Sequence, residues 1–282
     1  MKASHLELSF GAKKVYDDCS FNFEAQDKVG IVGVNGAGKT TLFRIILGEQ
    51  KLDDGSIELP SLRLGYLPQE IKVPEDKQDM SAWDYIAEGR PIDELQNKLN
   101  EEYGKFAKYP ESNAILERIN ALQDLIDSLD IANMDNDLLR IVEKMNLQDI
   151  IDKPMNDLSG GQKSKVAFAK VLFENAGLLF LDEPTHHLDA STKKFVSNYL
   201  RNYNGMVLVI SHDVDFLDSV TNRTLFVNKN THKMKTYNGN YTLFRRQYAE
   251  EMAEKDKRIS EQEREIKRIE EFVERARNAK RS

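Results

Sequence analysis

Short apolar runs separated by glycine-rich or polar breaks fill the first third of the chain. Residues 5–10, 19–23 and 28–32 look like strands. A helix starts near Lys39, runs through Leu42, Phe43, Ile45 and Ile46, and stops at Gly48. Residues 57–59 and 63–67 read as two further short strands. From about residue 79 to 152 the period changes to that of a helix. Leu95, Leu99, Tyr103 and Phe106 recur at spacings of three and four, and so do Ile115, Ile119, Leu122 and Ile126. Pro110 and its polar neighbours separate the two runs. An antiparallel helical pair is predicted there, either standing off the body or packed flat on it as an ordinary helical subdomain.

The α/β alternation returns after Ser159. A helix is predicted over residues 161–173, and the almost wholly apolar residues 178–181 fit a parallel strand covered on both faces. A helix over 192–203, an apolar strand over 206–210 and an antiparallel pair over 224–227 and 233–237 follow. Beyond residue 241 charges of both signs crowd together. Met252, Ile259, Ile266 and Val273 repeat every seven residues, with Ile269 and Ala276 on the complementary row and Lys255 and Gln262 interrupting it. That is a long helix whose apolar stripe needs a partner. It is expected to stop in mid-helix at Ser282, with a returning helix beyond.

The 282 residues suffice for one sizeable core or two modest ones. The formal charge of -7 writes no strongly basic nucleic-acid surface into the overall balance, though local basic patches remain open. Cys19 is the single cysteine, so no internal disulfide forms, and it reads as a small strand side chain near the core. The N-terminus has no signal-peptide pattern, and no stretch approaches the ~20 apolar residues of a membrane span. A cytoplasmic protein without membrane insertion is expected.

Gly33-Val34-Asn35-Gly36-Ala37-Gly38-Lys39-Thr40-Thr41 fits the phosphate-binding loop, and it lies between an apolar strand and a helix as that motif requires. Its glycines let successive N–H groups turn inward, and the helix start adds favourable potential for anions. Lys39 is expected to bridge the β- and γ-phosphates of ATP, and Thr40 to place its hydroxyl on Mg²⁺. Asp182 and Glu183 close an apolar strand, where open parallel sheets hold their ligands. Asp182 is placed for the Mg²⁺ shell and Glu183 to polarise a water. Leu158-Ser159-Gly160-Gly161-Gln162 precedes a helix; it reads as an N-cap and as a second anion site at once.

These three strings together resemble the ATP-binding-cassette ATPases, whose signature motif reads as residues 158–162 do. The resemblance covers residues 3 to about 241 and implies an α/β fold: a mainly parallel P-loop core, an antiparallel β-subdomain, and a helical subdomain with an inserted arm at about 79–152. It also implies roles. Gln69 contacts Mg²⁺ and senses the γ-phosphate, His212 contacts the γ-phosphate, Asp189 lies along a domain interface, and Phe10 stacks on adenine, with Tyr16 nearby as a competitor. In this family ATP is sandwiched between two domains, so Ser159, Gly160, Gly161 and Gln162 would serve a nucleotide held by a second ABC domain.

Three features are similar to the ABC-F branch of ribosome-associated ATPases: no membrane segment, room for an arm between Gln69 and Ser159, and the charged heptad helix. On that reading residues 1–240 are an ATP-binding domain and 241–282 the first helix of an interdomain linker that reaches ribosome and tRNA. Arg275, Arg277, Lys280 and Arg281 sit near where its tip would begin. The branch implies a translation factor or a ribosome-protecting antibiotic-resistance factor. An ATPase subunit of a membrane transporter, acting as a homodimer, and a DNA-binding member of the branch are the competing expectations. The exposed stripe leaves self-association of this chain open. One departure stands out: the branch usually has Asn where this chain has His186, beside Glu183.

Overall fold

The computed structural model describes residues 1–279 apart from 61, 128 and 130, and does not describe the side chains of 93, 132 and 271–279. The expected linker-tip residues Arg275, Arg277, Lys280 and Arg281, and the stripe positions Val273 and Ala276, therefore lie outside the described side chains.

Two sheets carry the domain. Six strands form the larger one: β3 (Lys28–Val32), β5 (Leu64–Leu67), β6 (Leu178–Asp182), β7 (Met206–Ile210), β8 (Arg223–Val227) and β9 (Met234–Asn238). Their order is β5-β6-β7-β3-β8-β9, parallel except for β9, which pairs antiparallel with β8 as expected. The smaller sheet is antiparallel, with β1 (Lys2–Phe10) between β2 (Lys13–Asn22) and β4 (Asp54–Glu58). This is the α/β fold that the sequence implied, with its antiparallel subdomain. β1 and β2 begin earlier than expected. They pair with each other through polar positions such as Lys2, Lys13 and Lys14, which local apolarity does not mark.

Alternate residues of β6 and β7 face opposite sides of the sheet, and each side has its own core. Leu179, Leu181, Val207 and Val209 pack with α6 (Gly160–Phe173) and α7 (Ala190–Arg201). Leu178, Phe180, Leu208 and Ile210 pack with α1 (Lys39–Ile46) and the antiparallel sheet. Phe180 meets Phe43 of α1 edge-on at 5.2 Å between ring centroids. Cys19 is buried in this second core, as expected of a small strand residue.

The helical stretch contains α2 (Ala82–Ala87), α3 (Ile92–Phe106), α4 (Asn113–Asp127) and α5 (Met134–Lys144). α3 and α4 are the predicted antiparallel pair. Glu102 of α3 accepts from Arg118 of α4 at 2.9 Å, and Gln123 donates to the Tyr103 hydroxyl at 2.7 Å. Ile92, Leu95 and Leu129, with Leu122, Leu125 and Ile126, form a small apolar cluster separate from the two sheet cores, and Met134 packs against both it and the first core.

Two guanidinium groups tie the C-terminal end of α6 to this helical region. Arg90 is 3% exposed; its Nε donates to the Phe173 carbonyl at 2.5 Å and its Nη2 to Asp137 at 3.0 Å. Arg63 donates to the Glu174 carbonyl at 3.0 Å and to the Gly89 carbonyl. Cations at a helix C-terminus satisfy its open carbonyls and oppose its dipole. α9 (Tyr241–Ala279) is anchored by its first two turns, where Phe244 and Tyr248 stack on Phe226 at 5.4 and 4.9 Å. Beyond Met252 its described side chains are exposed, Ile259, Ile266 and Ile269 among them. Among the described residues no helix is long and apolar enough to cross a membrane.

Burial raises the Glu174 carboxyl to about 7, partly opposed by the Arg63 and Lys170 cations. The folded state therefore holds this proton more tightly than the unfolded chain. Its favourable contribution is complete below the unfolded carboxyl range and is lost as pH rises towards 7. A Glu174→Gln variant should gain stability over the parent by roughly 2 kcal/mol between pH 5 and pH 8, read from denaturant unfolding at the two pH values.

Candidate nucleotide site

β3, β5, β6 and β7 run parallel, so their C-terminal ends open on the same edge of the sheet. Leu67 pairs with Leu181, Asp182 with Ile210, and Ile31 also with Ile210. The residues that follow each strand are the ones singled out by motif: Gly33 after β3, Gln69 after β5, Glu183 after β6 and His212 after β7. All but Gly33 line a cavity of about 430 Å³, together with Asn35, Gly36, Gly38, Lys39, Thr40, Thr41, Asp182 and Ile210.

The loop over residues 33–38 turns through left-handed backbone at Gly36 (φ 74°) and at Gly38 (φ 106°), which is also the N-cap of α1. No side chain caps α1, so its first N–H groups remain open to an anion. Tyr16 lies fully buried beneath the loop and its hydroxyl donates to the Gly38 carbonyl at 2.6 Å. A Cβ on Gly38 would sit 2.9 Å from both Tyr16 and Val15. Tyr16 is thus a packing residue. Phe10, the other aromatic considered for adenine, is 50% exposed at the end of β1 and is free to stack. Ala37 is buried and closes the turn by donating its N–H to the Val34 carbonyl at 3.1 Å.

Lys39 is buried and its Nζ donates to the Gly33 carbonyl at 2.9 Å. Burial pulls its pKa down, opposed by Glu183 and Asp182. Thr40 donates to Asp182 Oδ2 at 2.9 Å, so the hydroxyl and carboxylate expected to hold Mg²⁺ already touch. Burial raises the Asp182 carboxyl, and the Thr40 bond and Lys39 act against it. A buried carboxylate of this kind fits a hard cation. Among the described residues no group of three or more His, Cys, Asp or Glu could hold a metal ion. One carboxylate and one hydroxyl suit Mg²⁺, which takes its other ligands from phosphates and water.

Glu183 is buried and left-handed (φ 54°). Its N–H donates to the Ile210 carbonyl at 2.8 Å, and its Oε2 accepts the His212 N–H at 3.2 Å. His212 Nε2 lies 3.5 Å from Oε1 and His186 Nε2 lies 4.0 Å from Oε2. Non-glycine residues held left-handed cost of order 1–3 kcal/mol and gather at functional sites.

Ser159 caps α6 in a full capping box: its Oγ accepts the Gln162 N–H at 3.4 Å, and Gln162 Oε1 accepts the Ser159 N–H at 2.9 Å. The Oγ keeps its own proton to donate. Ser159 and Gly160 are exposed, and neither they nor Gly161 and Gln162 line the cavity. Asp189 caps α7 and accepts from Ser191 at 2.6 Å, the Thr192 N–H at 2.9 Å and Lys165 of α6 at 2.9 Å. These bonds, led by Ser191, hold its carboxyl far below the usual range. Sequence reasoning missed α8 (Val214–Val220), which Asp213 caps directly after His212, and Lys229, which donates to the Asn35 carbonyl at 3.2 Å. Asp213 carried a cap signal; Lys229 carried none.

A phosphate loop, an acidic strand end and a capped signature helix on one such sheet define a nucleotide-hydrolysing domain. A sequence profile described as ABC transporter matches residues 16–186, and an extension profile of the same description matches residues 228–282. The chain belongs to this family of ATP-hydrolysing, ATP-binding-cassette proteins, and its relatives at about 30% identity include ABC-F-type proteins. The ABC transporter ATP-binding protein YfmR of Bacillus subtilis is 32% identical over 95% of this chain and 42% of its own length. The energy-dependent translational throttle protein EttA of Haemophilus influenzae is 32% identical over 89% of this chain and 43% of its own. The chain spans less than half the length of these relatives. Among solved structures, the ATP-binding subunit of an ABC transporter superposes with a TM-score of 0.64 at 16% identity, covering 88% of this chain and 92% of that one.

Gly38→Ala combines left-handed strain with a clash on the buried side chains of Tyr16 and Val15. It should weaken binding of a fluorescent ATP analogue by roughly ten- to a hundredfold, about 1.4–3 kcal/mol, in an equilibrium titration.

Proposed function

We propose that this chain is the N-terminal ATPase half of a two-domain ABC-F protein that acts on the ribosome in the cytoplasm, as a translation factor or a ribosome-protecting antibiotic-resistance factor. The observation that carries the reading is α9: a 39-residue charged helix, anchored at its base, with its isoleucine stripe exposed. The 32% identity to a protein named as a translational throttle supports it. On this reading residues 1–240 bind ATP and 241–282 begin a linker towards ribosome and tRNA, with the α3–α4 pair as the arm. The exposed stripe also supports self-association of this chain when nothing else covers it.

In the site, Lys39 leaves the Gly33 carbonyl for the β- and γ-phosphates, and the open N–H groups of the loop take the remaining oxygens. Phe10 stacks on the adenine. Thr40, Asp182 and Gln69 would hold Mg²⁺, which would supply neutralisation of phosphate charge. Glu183 takes a proton from the attacking water, and His212 turns to the γ-phosphate. Ser159, Gly160, Gly161 and Gln162 face the nucleotide of a second ABC domain, with Asp189 along the interface. Because these signature residues lie outside the chain's own cavity, a single copy leaves its site open. Closure of the two domains on ATP would set the direction of α9, and hydrolysis would release it.

A second reading, the ATPase subunit of a transporter, is favoured by the near whole-length superposition on such a subunit. The test is co-sedimentation of the longest natural form, with Glu183→Gln to slow hydrolysis, on ribosomes, DNA and membrane vesicles. Retention on ribosomes only with ATP is the expected result. ATP-dependent retention on vesicles or DNA instead would overturn the ribosomal assignment.

A further inference from the structure

Two imidazoles bracket the buried carboxylate of Glu183. Oε2 accepts the His212 backbone N–H at 3.2 Å, and His212 Nε2 lies 3.5 Å from Oε1. The second ring is that of His186, whose Nε2 lies 4.0 Å from Oε2. The His186 N–H donates to the Glu183 carbonyl at 3.3 Å, closing a tight turn through Pro184. That turn folds the residue back over the side chain that begins it. His187 follows, left-handed at φ 67°, with its ring over the start of the signature helix, 3.4 Å from where a Cβ on Gly161 would be. The turn is thus fixed at both ends, by Glu183 and by His187, while the His186 side chain remains 64% exposed and a small torsional shift from hydrogen-bond length.

A carboxylate that abstracts a proton from water works best with one oxygen held and the other aimed at the water. His212 cannot do both jobs here. Once its ring turns to a γ-phosphate, Oε1 is released towards the water, and the His212 N–H is the remaining bond on Oε2. His186 brings a second ring nitrogen to that oxygen, its Nε2 lying 4.0 Å from Oε2.

We propose that His186 is a positioning residue for Glu183: its Nε2–H donates to Oε2 in the nucleotide-loaded site and fixes the carboxylate so that Oε1 faces the attacking water. The inference rests on the general-base reading of Glu183 and deepens it, independently of any ribosomal role. It assigns a purpose to the one position at which the motif departs from its usual Asn. A longer, rigid ring reaches back over the carboxylate from this turn, where a shorter amide stops sooner.

Steady-state ATP hydrolysis by the longest natural form, without ribosomes, tests it. A group that only orients the base contributes less than the base itself, roughly tenfold against a hundredfold or more. His186→Ala should therefore lower kcat roughly tenfold, with KM and the affinity for a fluorescent ATP analogue unchanged within about twofold. His186→Gln, which keeps an N–H donor at similar reach, should recover most of that loss. Unchanged melting temperatures would exclude a folding effect, as expected for an exposed side chain. A kcat for His186→Ala within about twofold of the parent overturns the proposal. So does a loss that Gln does not recover, or a change confined to KM. Hydrolysis surviving when Glu183 and its counterpart in the second ABC domain are both changed to Gln would instead remove the general-base reading, and the inference with it.

Discussion

Burial of the central parallel strands dictates where chemistry can occur in this domain. β3, β6 and β7 are buried along their whole length, with apolar residues filling both faces. A charged group inside that slab would face a large desolvation cost. Polar side chains are therefore pushed to the strand ends, and because the strands are parallel those ends share one edge. The phosphate loop, Gln69, the Asp182–Glu183 pair and His212 come from distant parts of the chain, yet meet around one cavity.

What the slab gathers, hydrogen bonds then orient. Tyr16 supports the phosphate loop from below, the Ile210 carbonyl fixes the Glu183 N–H, and the His212 N–H holds its carboxylate. The turn from Glu183 to Asp189 contains two left-handed non-glycine residues, Glu183 and His187. Its strain is sustained by the anchors at each end, including the Asp189 cap on α7 and its bridge to Lys165 on α6. The same few residues thereby connect the chain's own cavity to the signature helix, whose first residues do not line it.

The far end of α6 is held just as firmly. Arg63 and Arg90 bind its last carbonyls and join it to the start of β5 and to the helical region. Gln69 at one end of β5 and Ser159 at one end of α6 thus belong to elements pinned together at their opposite ends. In α9 the arrangement is reversed: an aromatic cluster secures the base, and the exposed isoleucines beyond it bury nothing within this domain.

Much of this was written into the sequence. Residues 206–210 stood out as a strand because they are a continuous apolar run, and 28–32 because Val29, Ile31 and Val32 precede the glycine-rich loop; both match the structure residue for residue. Gly38 and Lys39 announced their loop because left-handed backbone and a phosphate-seeking amine demand those residue types. Other features belonged to the tertiary structure alone. Tyr16 and Phe10 look alike in sequence, and only the packing of Val15, Tyr16 and Gly38 shows that one is core and the other open. α8 is too short for its period to register, so packing against the sheet decides it. The bracketing of Glu183 by His186 and His212 joins residues on different strand ends, and local pattern carries no information about distances across a sheet. Sequence determines which groups are available and which backbone each can adopt. The closing of a buried parallel sheet decides which of them meet.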